Sequence, residues 1–219
     1  INFIGEYNFD LDTRIVYGLD NEFDSAYYKD DWSGLYEEAD EAVYSQYLDF
    51  QYRPEENMYA TVGFRRDEHT TAGAYNTGRL TIAKILDGSS KVRSSLGTGI
   101  RFPSLYDYSY GTVLKNKEDV KPEKSTSMDL GYETVFESID TSLNLSVFRI
   151  SYNDALTGWQ SNTDTDGSTF VIKNADATVV SKGVELSSLW KPKSDFNIGL
   201  NYNYNKSHAA TDCDDPDVT

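Results

Sequence analysis

The sequence predicts an all-β protein, a transmembrane antiparallel up-and-down β-barrel of which about ten strands are present. Three observations carry that prediction. Apolar and polar residues alternate from end to end with period two, as in Asp195–Ser207, where Phe196, Ile198, Leu200, Tyr202 and Tyr204 fall on one side and Asn197, Gly199, Asn201, Asn203 and Asn205 on the other. The gaps between alternating segments are short and long in turn, as in outer-membrane barrels with short turns on one side and long loops on the other. No apolar run reaches the length of about 18 residues that a membrane-crossing helix needs. A soluble β-sandwich has no reason to sort its loops by length.

Taken in order, segment 1–9 carries Phe3, Tyr7 and Phe9 on one face, and a tight Asp10-Leu11-Asp12 turn leads to 13–23 with Ile15, Tyr17 and Leu19. A long polar gap is expected over 24–41. Segments 42–52 and 58–67 follow, joined by a short turn at Arg53-Pro54-Glu55-Glu56-Asn57, and a second wide gap is expected over about 68–78. Segments 79–86 and 91–101 flank Asp87-Gly88-Ser89-Ser90, a compact hairpin signal. The third wide gap, 102–124, precedes 125–136 with Met128, Leu130, Tyr132 and Phe136 in phase. In 141–152 the phase slips between Leu143, Leu145, Val147 and Phe148, Ile150, Tyr152, which a bulge or an exit from the membrane would cause. A strand from about 168 to 190 and the opening stretch complete the ten. Pro54 and Pro192 are expected in short turns and Pro103, Pro122 and Pro216 in long loops, with none inside a strand. Tyr and Phe near strand ends fit interfacial girdles, with Phe196 at one interface and Tyr202 and Tyr204 at the other.

The formal charge of −16 over 219 residues excludes nucleic acid as a partner, which requires a basic surface. One cysteine excludes a disulfide framework within the chain; Cys213 is an unpaired loop thiol or half of a pair whose partner lies beyond Thr219. No signal peptide is visible, since Ile1-Asn2-Phe3 is already strand-like, and the chain stops in what reads as a loop, so 1–219 is expected to be a partial barrel domain of a longer protein. No Ser/His/Asp arrangement or phosphate-cradling glycine loop stands out, and Gly97-x-Gly99 lacks the following helix a nucleotide fingerprint needs. His69 and His208 have no Cys or carboxylate at transition-metal spacing.

An ordered set of motifs is more specific. Gly97-Thr98-Gly99-Ile100-Arg101-Phe102-Pro103-Ser104-Leu105-Tyr106 is followed by Asp119-Val120-Lys121-Pro122-Glu123-Lys124-Ser125 and Asp129-Leu130-Gly131-Tyr132-Glu133. Lys173-Asn174-Ala175 and Ser181-Lys182-Gly183-Val184-Glu185-Leu186 complete the set. Over about residues 40–207 this resembles the C-terminal half of TonB-dependent outer-membrane receptors, closest in wording to the cobalamin-receptor branch. Ile100 stands where Phe is usual, Val120 where Leu is usual and Asp129 where Glu is common. The resemblance implies a 22-stranded barrel filled by a plug domain, with the plug and final strands outside this chain. It implies a Gram-negative outer-membrane receptor that binds a scarce metal chelate, cobalamin first, and imports it with energy from TonB through the plug. Such receptors are transporters and not enzymes, and require no cofactor.

Within that frame Tyr106, Tyr108, Tyr110, Trp159 and Trp32 are candidate ligand contacts, being large faces with polar tips suited to corrin rings or catecholates. Their bland reading is girdle or loop packing. Asp30, Asp31, Glu37 and Glu38 in the 24–41 gap are weak Ca²⁺ candidates, since dense hard oxygen ligands can stiffen a loop. Their bland reading is a solvated acidic loop beside outer-membrane lipid and lipopolysaccharide. Lys91, Arg93 and Arg101 are expected on the lumen side, paired with plug carboxylates or with Asp129 and Glu133 on the next strand. A ferric-siderophore or haem receptor, a passive porin and a barrel enzyme are the alternatives. A plug upstream separates receptor from porin, and a rim cluster of Ser/His or Asp/His marks the enzyme.

Overall fold

The computed structural model describes residues 2–29, 36–105, 107, 120–156, 160–162, 169–171, 174–175, 177–193 and 195–211. The strands are β1 (Asn2–Asn8), β2 (Thr13–Lys29), β3 (Tyr36–Glu55), β4 (Met58–His69), β5 (Gly73–Ile85), β6 (Ser90–Arg101), β7 (Glu123–Phe136), β8 (Thr141–Asn153), β9 (Gln160–Asn162), β10 (Thr169–Val171), β11 (Ala177–Lys193) and β12 (Phe196–Thr211). Ten of them form one antiparallel sheet in the order β1-β2-β3-β4-β5-β6-β7-β8-β11-β12, while β9 and β10 pair with each other in a separate two-stranded ribbon. The all-β, up-and-down reading is borne out.

Alternation becomes two chemically distinct faces because directly paired residues share a side of the sheet. One continuous rung runs Tyr7, Ile15, Phe50, Val62, Leu80, Leu96 and Met128 across seven strands. With Phe64 (54% exposed), Leu130 (52%) and Leu200 (57%), it belongs to a broad apolar face with no second layer over it. Among the described residues the buried apolar side chains are Ala42, Val120, Pro103 and Pro122, too few to make a sandwich-type core. The same rung lies close to the short turn in β2 and, continued through Arg149, Lys182 and Lys206, far from the short turn in β12. Hydrogen bonds run perpendicular to strands, so a rung that climbs from one turn level to the other is the stagger of a tilted barrel wall.

Several expectations need correction. The 24–41 gap is mostly strand: β2 and β3 stay in register from Thr13↔Tyr52 up to Lys29↔Tyr36, leaving a much shorter connection. The 68–78 gap is a tight turn, since His69 pairs with Gly73 and the chain reverses over Thr70–Ala72. Gly73 has φ +86°, a conformation that other residues enter only with strain. Loop sorting therefore holds for the 102–122 and 154–176 connections and fails at 70–72. The stretch expected as a strand from 168 is divided into β10 and β11. Pro54 and Pro192 lie inside the strand bounds, at the register shifts between Tyr52 and Glu55 and between Trp190 and Lys193. Each shift removes a ladder position that a proline, lacking an N–H, cannot fill. No bulge explains the slip in β8, whose pairing with β7 and β11 is unbroken. Phe148, Ile150 and Tyr152 simply occupy the polar side near the long-loop end, while Arg149 and Ser151 take over the apolar side. That is the exit alternative.

Candidate functional site at the long-loop rim

The polar face is built from residues one position out of phase with the apolar set. Lys91, Arg93 and Arg101 lie on it, as expected. Lys91 Nζ is 2.9 Å from Glu133, Arg93 reaches Asp129 at 3.2 Å and Glu133 at 2.9 Å, and Ser95 hydrogen-bonds Asp129. Arg101 chooses a different partner, Glu123 at 2.6 Å, directly opposite in the β6–β7 register. Arg79 pairs with Asp49 at 3.0 Å, and Arg65 holds Asp67 at 2.7 Å while donating to Ser45 at 2.8 Å. Such pairs are individually weak where half-exposed. Their joint effect is a wall of fixed side-chain positions with both signs interleaved. At its short-turn end Lys91, Glu133, Thr134, Asn144 and Asn201 line a groove of ≈ 630 Å³.

Above this wall the long connections are tied down at their bases. Glu123 accepts from Arg101 and, through its other oxygen, from the Leu156 backbone N–H at 2.7 Å, while Lys124 Nζ lies 3.5 Å from Asp154. The Pro-Glu-Lys motif thus ties loop to strand top, as expected. Asn174 spans the two long connections: its side-chain oxygen accepts from the Lys121 N–H at 2.7 Å, and its Nδ2 donates to the carbonyls of Lys121 and Asp154 at 2.7 and 2.6 Å. Pro103 and Pro122, at the two ends of the 102–122 connection, are fully buried. The chain leaves β6 through a capped turn in which Asp107 Oδ2 accepts from the N–H and hydroxyl of Ser104, both at 2.8 Å.

A second fixed point went unread in the sequence. His69 is 2% exposed, its Nδ1 accepts the backbone N–H groups of Thr71 and Ala72 at 3.0 and 3.1 Å, and its ring lies 4.7 Å from that of Phe102. With Nδ1 occupied as an acceptor, the proton sits on Nε2, which faces Glu41 Oε2 at 3.3 Å. The side chain organises the 70–72 turn and braces the base of the 102–122 connection. The only sequence signal was a histidine just before a Thr-Thr-Ala-Gly turn.

Of the predicted ligand contacts, Tyr106, Tyr108, Tyr110, Trp159 and Trp32 all lie outside the described residues, as do Asp30 and Asp31. Glu37 is described only as a backbone position of β3 opposite Tyr28, and Glu38 is an exposed residue opposite Tyr27. Among the described residues no group of three or more His, Cys, Asp or Glu side chains is placed to hold a metal ion. No described helix is long and apolar enough to cross a membrane, which bears only on helices.

A one-layer sheet with an apolar face, an ion-paired polar face and long connections stapled at one rim is the wall of a transmembrane β-barrel. The chain belongs to the TonB-dependent receptor β-barrel family, whose model, described as TonB dependent receptor-like, beta-barrel, matches residues 2–219. The vitamin B12 transporter BtuB of Vibrio vulnificus (strain CMCP6) is 32% identical over 80 residues, 36% of this chain and 12% of that protein. The siderophore receptor PirA from Pseudomonas aeruginosa superimposes with a TM-score of 0.76 at 19% identity, covering 94% of this chain and 42% of its own. The FrpB iron transporter from Neisseria meningitidis gives a TM-score of 0.76 at 14% identity over 95% of this chain and 36% of its own. The chain thus spans less than half the length of these relatives, and the structural likenesses establish the fold.

Proposed function

We propose that this chain is a wall section of an outer-membrane receptor of a Gram-negative bacterium that binds a scarce metal chelate and imports it with TonB-transmitted energy, cobalamin being the first candidate cargo. The observation that carries the transport reading is the two-faced wall, apolar on one side and ion-paired on the other, with its long connections braced by Asn174, Glu123 and His69. A wet, charge-balanced inner wall suits a polar plug that must slide past it, and braced loop bases hold a binding surface in place. The corrinoid preference rests on the 80-residue similarity to a vitamin B12 transporter. The protein is a transporter and performs no catalysis. TonB acts through the plug segment of the intact protein.

In this reading Tyr106, Tyr108 and Tyr110 in the 102–122 connection, Trp159 in the 154–176 connection and Trp32 between β2 and β3 supply flat aromatic contacts to the cargo. Asp30, Asp31, Glu37 and Glu38 bind Ca²⁺ and stiffen the β2–β3 tip. Calorimetric titration of the intact protein in detergent with cyanocobalamin, with and without Ca²⁺, tests both. Nanomolar binding supports the corrinoid reading, and a calcium effect supports the acidic site. Folded protein that ignores cyanocobalamin but binds a ferric siderophore overturns the first and keeps the receptor.

A further inference from the structure

We infer that Arg149, Lys182 and Lys206 form a binding row for the phosphate groups of a phosphorylated membrane glycolipid. The three are direct cross-strand partners on adjacent strands, Arg149↔Lys182 and Lys182↔Lys206, so three cations stand side by side on β8, β11 and β12. All are exposed, and none makes an ion pair or side-chain hydrogen bond with the described residues. Like charges directly opposite one another are destabilising in a sheet. On the polar face the same chain neutralises Arg14, Arg65, Arg79, Lys91, Arg93 and Arg101 with a carboxylate each.

Face assignment makes the asymmetry sharper. The strand carboxylates Glu123, Asp129, Glu133 and Glu185 all lie in the polar-face register of β7 and β11, and β8 and β12 have none. The apolar face of these four strands therefore bears cations and no anion, in a chain of formal charge −16. No carboxylate among the described residues of this face supplies the counter-charge.

Position identifies its source. One rung below the row stand Leu130, Val147, Val184 and Tyr204, and below them Tyr132, Leu145, Leu186 and Tyr202. One rung above stand Thr126, Ser151, Val180 and His208, which add hydroxyls and an imidazole. The cations thus sit where the apolar face gives way to polar residues on the long-loop side, a step of about 7 Å above the last apolar rung. An anion there has its own acyl chains against Val147 and Val184. A row of three cations at strand spacing spans about 10 Å, enough for a headgroup bearing two phosphates. Lys contributes point charges and Arg a bidentate fork to such oxygens.

The inference rests on the membrane reading of the apolar face. The test is native mass spectrometry of the intact protein in nonionic detergent, titrated with lipid A carrying two phosphates and with the same lipid after phosphatase treatment. Wild-type protein is expected to bind the phosphorylated lipid at least tenfold more tightly than the dephosphorylated one, a comparison that needs no variant. The R149Q/K182Q/K206Q protein is expected to lose that preference, while R66Q, which removes a cation from the same face across the sheet, keeps it. Equal binding of both lipids by wild type, or an undiminished preference in the folded triple variant, overturns the inference. Displacement of the lipid by millimolar inorganic phosphate would instead make the row a free-anion site. Insertion of the triple variant into bilayers, measured alongside, separates failure of the row from failure of the membrane reading.

Discussion

Lys121 and Asn174, 53 residues apart in sequence, are joined by a reciprocal pair of hydrogen bonds, each 2.7 Å, between the backbone N–H and C=O of Lys121 and the side-chain amide of Asn174. A third bond carries the same amide to the Asp154 carbonyl at 2.6 Å. An asparagine side chain can imitate a peptide group, offering donor and acceptor at once, so it stitches two strand ends that have no ladder between them.

Asn174→Ala is therefore expected to free the two long connections from each other without unfolding the wall. At about 0.5–1.5 kcal/mol per bond, local opening becomes roughly 1–3 kcal/mol easier. Hydrogen exchange should read this as at least about fivefold faster exchange at Lys121, with β7 and β8 amides unchanged. Unaltered exchange at Lys121 would show that the staple is redundant.

The glycine of Lys182-Gly183-Val184-Glu185 has a packing reason. A Cβ there would collide with the Tyr204 carbonyl oxygen and lie 2.7 Å from the Phe148 ring. Backbone cannot yield as a flexible side chain can, so Gly183→Ala should cost about 1–3 kcal/mol in denaturant unfolding of the intact protein. Gly199→Ala, with nothing within 4 Å of the new methyl, is the control and should be close to neutral.

Arg93 lies over Gly131, where a Cβ would come within 2.9 Å of its guanidinium carbon. Both Arg93→Gln and Gly131→Ala should disturb the same pairs with Asp129 and Glu133. The side chains are partly exposed, so a double-mutant cycle between Arg93 and Asp129 should give a coupling of only about 0.5–1 kcal/mol. A coupling near zero would mean that the wall pairs are ornamental to stability.

Two short turns carry an acid-sensitive cap. Asp10 accepts the Asp12 N–H at 2.8 Å and Asp87 the Ser89 N–H at 2.9 Å, and these bonds hold both carboxyls below the ordinary value of 3.8. A depressed carboxylate contributes stability above its unfolded pKa and loses it as pH falls through the folded one. The stability difference between wild type and Asp87→Asn should be constant at neutral pH and vanish below the ordinary carboxylate range. A difference that grows in acid has the wrong sign.

What the sequence made legible is what period two encodes: the facing of each strand, the short turns and the cations of the polar wall. Residues 36–41, Tyr-Glu-Glu-Ala-Asp-Glu, hid their strand because they stand clear of the apolar rungs, so no hydrophobic alternation marks a ladder whose backbone pairing continues. The 70–72 turn was illegible because a side chain, His69, supplies the acceptor that ends it. Pro54 and Pro192 read as turn residues although both sit at register shifts inside strands, which composition cannot separate from turns. The role of Asn174 depends on two loops meeting, and no local pattern reports that. The motif carrying Glu123 was readable as a tie, but its Leu156 partner was not.

On this barrel wall the apolar face meets lipid and the polar face does not, and β12 reads the difference directly. Single cysteines placed at each position from 196 to 206, with Cys213 first changed to Ser, can carry a fluorophore in the intact protein reconstituted with nitroxide-labelled lipid. Quenching is expected to alternate, strong at 198, 200, 202 and 204 and weak at 199, 201 and 203, and to fall off at 206. Uniform quenching, or none, along this strand would contradict the barrel-wall account.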